Sequence, residues 1–196
     1  MGCWQQRHDA LRDAVADMAK QAGIRTDVEP EGKFKDKRRP DLIFRQSPLH
    51  NQKDVLFDVS VTHPINNSEG HASSCRQGDS ASKREQKKIS EYRADAAVQG
   101  MLFFPLVFET HGFVTEDVKT LIRQLAQRIA DRTNSLYSQI VHFWTVKIST
   151  ILQKANASII KLQQQRLLSA DPAMIDEDER AFLYETQKPV VSCRWD

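Results

Sequence analysis

From Asp54 to Val61 the chain reads Asp-Val-Leu-Phe-Asp-Val-Ser-Val, a run of β-branched and aromatic residues interrupted by Asp58. Such side chains fit a pleated surface, so the run predicts a strand. Apolar residues at both odd and even positions demand cover on both faces. A carboxylate inside that strand costs free energy unless something compensates it. The segment therefore asks for a sheet covered on both sides and for a partner to Asp58.

The flanking segments can supply the cover. Residues 7–22 space Leu11, Val15, Met18 and Ala22 by three and four, the pattern of an amphipathic helix closed by Gly23. Short strands are expected over 24–29 and 41–46, with Asn51-Gln52-Lys53 turning into the strand that holds Asp58. Residues 63–80 read as a long loop rich in Ser, Asn, Gly and His. A helix over 81–98 offers Ile89, Tyr92, Ala96 and Val98 as inward positions. Met101 to Phe108 predicts another buried strand, in which Pro105 requires an edge position or a bulge. Thr115 suits the cap of a helix over 116–131. A long helix over 135–168 then turns Leu136, Ile140, Phe143, Trp144, Ile148 and Leu152 inward. Three strands, a helix, a returning strand and two helices indicate an α/β fold with a mixed sheet. The expected organisation is a sheet domain over 1–131, a helical extension over 132–170 and an acidic irregular tail over 171–196.

Composition narrows the class. At 196 residues there is room for one domain with an appendage. No run of eighteen apolar residues exists, so no membrane helix is expected. Met1 to Arg7 has no apolar core to act as a secretory signal. Three cysteines, at 3, 75 and 193, cannot all pair, and free thiols in a reducing compartment are the simplest reading. The expected location is intracellular, in nucleus or cytoplasm. The tail 171–196 carries a net charge of −4, which leaves +6 on the rest of the chain. That excess gathers in two clusters: Lys35, Lys37, Arg38 and Arg39 in one, Lys83, Arg84, Lys87 and Lys88 in the other. Basic segments beside isolated carboxylates suit a polyanion that meets a metal, although a solvated surface gives the same pattern.

The chemistry centres on Asp41 and Asp58. Pro40-Asp41 opens one strand and Asp58 lies inside the next. Two neighbouring carboxylates repel and raise one another's proton affinity. A divalent cation relieves both the repulsion and the burial, and Mg²⁺ accepts one or two carboxylates plus water and phosphate oxygens. Residues two apart in a strand share a side, so Ser60 accompanies Asp58. The nearest lysines stand on the helix after the loop, where Lys88 and Tyr92, four apart, share a face.

Arg39-Pro40-Asp41-Leu42-Ile43, then Asp58-Val59-Ser60-Val61, then Ala81, Glu85, Lys88 and Tyr92 on a helix resemble the PD-(D/E)XK nuclease superfamily. More narrowly, with Arg7-His8-Asp9 and Glu29-Pro30 added, the chain resembles the restriction-like endonuclease domain of site-specific non-LTR retrotransposon polyproteins. The resemblance covers roughly residues 7–110 and implies a restriction-endonuclease-like core, a four-stranded mixed sheet flanked by helices, with a C-terminal helical extension. It implies a Mg²⁺- or Mn²⁺-dependent DNA-cutting site in which Asp41 and Asp58 bind metal and Lys88 meets the scissile phosphate. Tyr92 matches the aromatic position after that lysine, and Ser60 stands where the superfamily usually has lysine. No reverse transcriptase precedes the domain, so a freestanding or truncated relative is expected.

Accessory roles are open to Glu29, as a third acid, and to His63, Glu109 and His111, at strand ends facing a nucleic-acid groove. Each also reads as an ordinary surface or strand-end residue, and Asp58 as a carboxylate salt-bridged to Arg39. His71 and Cys75 have zinc-like spacing without a second pair. Lys147, Lys154, Lys161 and Arg166 form a basic stripe on the long helix, suited to a DNA-clamping arm or to solvent. Two other functions fit the residues: a non-enzymatic nucleic-acid-binding module on the same fold, favoured by Ser60, and a helical assembly protein working through 116–168. A homodimer is compatible with all three.

Overall fold

A computed structural model describes residues 3–31, 39–64 and 77–169. Its elements in chain order are α1 (Cys3–Gln21), β1 (Thr26–Val28), β2 (Leu42–Ser47), a 3₁₀ turn (Pro48–His50), β3 (Lys53–Thr62), α2 (Asp79–Val98), β4 (Leu102–Glu109), α3 (Glu116–Thr133) and α4 (Tyr137–Ser169). The strands form one mixed sheet in the order β1-β2-β3-β4. β1–β2 and β2–β3 are antiparallel, and β3–β4 is parallel across the α2 crossover. The α/β class and the four-stranded mixed sheet are as the sequence predicts. The chain divides into two compact units, Met1–Ala155 and Asn156–Asp196. All four strands and α1–α3 belong to the first, and the described part of the second is the helix from Asn156 to Ser169.

β3 is covered on both sides. Val55, Phe57 and Val59 join Leu42, Phe44, Leu106 and Phe108 in a core closed by α1, α3 and the Trp144, Ile148 and Leu152 stripe of α4. Leu56 joins Ile43 and Phe103 on the other face, under Tyr92 and Ala96 of α2. Each fully buried side chain of this size contributes about 1.5–3 kcal/mol. α1 ends where Gly23 takes a left-handed φ of 72° and the Ile24 amide returns to the Ala19 carbonyl, a closure that a β-carbon would strain. Pro105 lies on β4, an edge strand, where its missing donor costs no ladder bond.

Some expectations about side chains fail. Val98, Leu136 and Phe143 are exposed, not inward. Val98 lies on the opposite side of α2 from Tyr92 and Ala96, because two residues turn a helix by about 200°. Trp144, Ile148 and Leu152, four apart, define the inward stripe of α4 and leave Phe143 off it. Leu136 precedes that helix. Thr115 occupies the N-cap of α3 without a capping bond from its hydroxyl. Among the described residues no helix is long and apolar enough to cross a membrane.

Candidate functional site

The β2–β3 ladder stops at Leu42 and Phe57, while β3 runs on to Thr62 paired only with β4. Beyond Phe57, therefore, one edge of β3 has lost its strand neighbour. Asp41 takes over at that point. Its amide donates to the Phe57 carbonyl, and its Oδ2 accepts the Val59 amide at 2.6 Å. The side chain thereby ends the ladder and holds its own carboxylate against the open edge.

A cleft of about 330 Å³ lies along this edge. Asp41, Asp58 and Ser60 line it from the strands, Arg7 and His8 from α1, and Arg84 and Lys88 from α2. The two acids singled out from the sequence thus face one recess. Asp58 keeps 7% of its side chain exposed, and Lys88 Nζ donates to its Oδ1 at 2.9 Å. The Ser60 hydroxyl donates to Asp58 Oδ2 at 3.0 Å, as the two-residue strand repeat predicts. Lys88 Nζ also lies 5.2 Å from the centroid of Tyr92, whose ring stacks on Phe103. The lysine is therefore held between a carboxylate and an aromatic face.

Burial raises the proton affinity of Asp58; Lys88 opposes this, and the charge of Asp41 adds to it. His8 Nε2 sits 3.1 Å from Asp41 Oδ2, and His8 Nδ1 lies 3.1 Å from Asp9 Oδ1. The hydrogen bond to Asp41 is the main cause that lifts the His8 pKa to about 9, against the cost of burial. With His8 protonated, four cations and two carboxylates line the recess, which makes it anion-receptive.

Asp41 and Asp58 are two carboxylates in one solvent-reachable cleft, the Asp58 oxygens being engaged by Lys88 and Ser60. A cation there would relieve the burial and repulsion that make the Asp58 charge costly. Among the described residues no group of three or more His, Cys, Asp or Glu side chains converges on a metal position.

Other candidates lie elsewhere. Glu29 adopts a left-handed φ of 46° and pairs with Arg12 and, at 3.9 Å, with Arg39. Arg39 also reaches Glu31, so the Asp58 partner is Lys88 and not Arg39. Glu109 is buried, and its Oε1 accepts the Ala81 amide at 3.0 Å, satisfying a donor in the first turn of α2. His63 and His111 meet edge to face at 5.2 Å, both exposed. Lys83 pairs with Asp79, and Lys87 is exposed. Lys35, Lys37, Arg38, His71 and Cys75 lie outside the described residues.

Trp4 and Gln5 line the cleft although the sequence reading does not single them out, and Arg7 and His8 enter that reading only within a motif, without a place in the site. α1 begins at Cys3, before the apolar repeat, and this carries them to the open edge. One signal was present: Arg7 stands four residues before Leu11, on the inward face, and a buried cation there calls for an anionic neighbourhood. No protein-family model matches the chain, and no curated protein matches it.

Proposed function

We propose that this chain is a metal-dependent DNA endonuclease of the PD-(D/E)XK, restriction-like kind, of retrotransposon origin. One observation carries the reading: Asp41 and Asp58, from successive strands, and Lys88, from the crossover helix, line one anion-receptive cleft. Asp41 and Asp58 are the residues that would hold Mg²⁺ or Mn²⁺. Such an ion supplies Lewis-acid polarisation of a phosphodiester and a water of lowered pKa. Ser60 and the Val59 amide fix one oxygen of each carboxylate, which orients the pair before substrate arrives. Lys88 brings a positive charge to the place where the phosphate gains negative charge. Arg84 in the cleft, with Lys83 and Lys87 on the same helix, attracts the DNA backbone.

The test is nicking of supercoiled plasmid under Mg²⁺ titration. Asp58→Asn keeps the shape and removes the charge, and nicking is expected to fall to background with the fold intact by circular dichroism. Lys88→Met is expected to slow nicking by roughly a hundredfold or more. Equal nicking by wild type and Asp58→Asn would overturn the assignment.

A second reading has its own support. Lys88 already neutralises Asp58 without a metal, and Ser60 occupies the position where the superfamily usually has lysine. A non-enzymatic DNA-binding module on this fold would bind with steep salt dependence and cut nothing in Mg²⁺ or Mn²⁺.

A further inference from the structure

Trp4 stands in the first turns of α1 with 61% of its surface exposed, and it lines the same cleft as Asp41, Asp58 and Lys88. A tryptophan offers a large apolar ring, and leaving most of it in water has a free-energy cost that a ligand can recover. The Arg7 guanidinium carbon lies 4.9 Å from the ring centroid. Arg7 is itself buried, so the contact steadies the indole at the rim instead of letting it sweep through solvent. Arg84 also lines the recess and makes no ion pair among the described residues.

We propose that this cleft is a subsite for one unpaired nucleotide, with Trp4 stacking the base and Arg84 receiving its phosphate. The inference deepens the nuclease reading and rests on it for the identity of the strand as substrate. A volume of about 330 Å³ is at the small end of ligand sites, with room for one nucleotide. Within a duplex the base faces are occupied by stacking. An aromatic rim can therefore engage a base only where the strand is single, frayed or flipped, and flipping from an intact duplex costs a few kcal/mol. The substrate class that follows is DNA with an unpaired segment, cut beside it.

The experiment uses the full chain and fluorescein-labelled DNA in EDTA, so that binding is read without cleavage. A short single strand and a blunt hairpin duplex are compared by anisotropy for wild type, Trp4→Ala and Trp4→Phe. Trp4→Ala is expected to lose about tenfold in affinity for the single strand and little for the duplex, and Trp4→Phe to recover most of the loss. Because Trp4 is exposed, all three proteins should melt together, which thermal unfolding checks. Equal single-strand binding by wild type and Trp4→Ala, or no recovery by Trp4→Phe, overturns the proposal. Plasmid nicking measured in parallel keeps the two readings apart. Asp58-dependent nicking with no Trp4 effect removes this subsite alone, whereas Trp4-dependent strand binding without nicking supports the subsite and removes the hydrolytic reading.

Discussion

Two clefts of similar volume, about 330 Å³ each, bring acids and bases together on this sheet. In one, Arg45 sits between two carboxylates, with Nε 2.6 Å from Asp27 and an Nη 2.7 Å from Asp54. All three side chains are partly solvated, and the bond to Asp54, followed by that to Asp27, holds the guanidinium firmly protonated despite some burial. In the other, Asp58 is nearly enclosed, and burial keeps its charge costly even with Lys88 attached. The first cluster is electrostatically content; the second is not. Strained charges of that kind concentrate where a ligand is expected to complete the balance.

The comparison has a direct consequence for stability. Exchanging a buried ion pair for well-packed apolar groups of similar size is often neutral or stabilising by about 1–4 kcal/mol, because the desolvation cost disappears. Asp58→Leu/Lys88→Met should therefore unfold at no lower a urea concentration than wild type while losing all nicking. A clear loss of stability in the double variant would mean that the pair is structural, like the Arg45 cluster, and would erase the contrast.

The converse substitution addresses the content cluster. Arg45→Met removes the cation that Asp27 and Asp54 share. Two partly exposed pairs are lost, for a cost of about 1 kcal/mol in urea unfolding. Nicking should stay within about twofold of wild type, since the cluster lies outside the proposed site. A collapse in activity would extend the functional surface along β2 and end the distinction between the two clefts.

Much of the contrast was legible along the chain, because it rests on local periodicity. The two-residue repeat placed Ser60 with Asp58, and the four-residue repeat placed Lys88 with Tyr92. The apolar run around Asp58 required cover on both faces, which α2 and the α1–α3 layer supply. What could not be read are pairings across long separations. Choosing Lys88 over Arg39 as the Asp58 partner depends on where α2 crosses the sheet, a tertiary fact. His8 meets Asp41 across thirty-three positions because α1 runs past the end of β2, and no spacing rule reports that. On α4 the apolar residues outnumber those that can face the core, so pattern alone could not reject Phe143.

A titratable group with no ion pair among the described residues shows how burial moves charge on this sheet. His50 is partly buried in a recess with Phe57, Phe104 and Asp117, its ring centroid 5.2 Å from that of Phe104. Burial lowers its pKa, whereas at Asp58 burial acts against an attached lysine. Above the unfolded value of about 6.5, His50 is neutral in both states and its packing contributes in full. As the pH falls from about 6.5 toward the lower folded value, the unfolded chain binds the proton first and that stability is lost, the loss being complete below the folded value. Wild type should therefore lose more stability than His50→Gln between about pH 7.5 and pH 5, by a few tenths of a kcal/mol, in matched urea titrations. Parallel pH curves would mean that the His50 ring stays hydrated, so that burial on this face is too shallow to serve as a measure of the charge confined at Asp58.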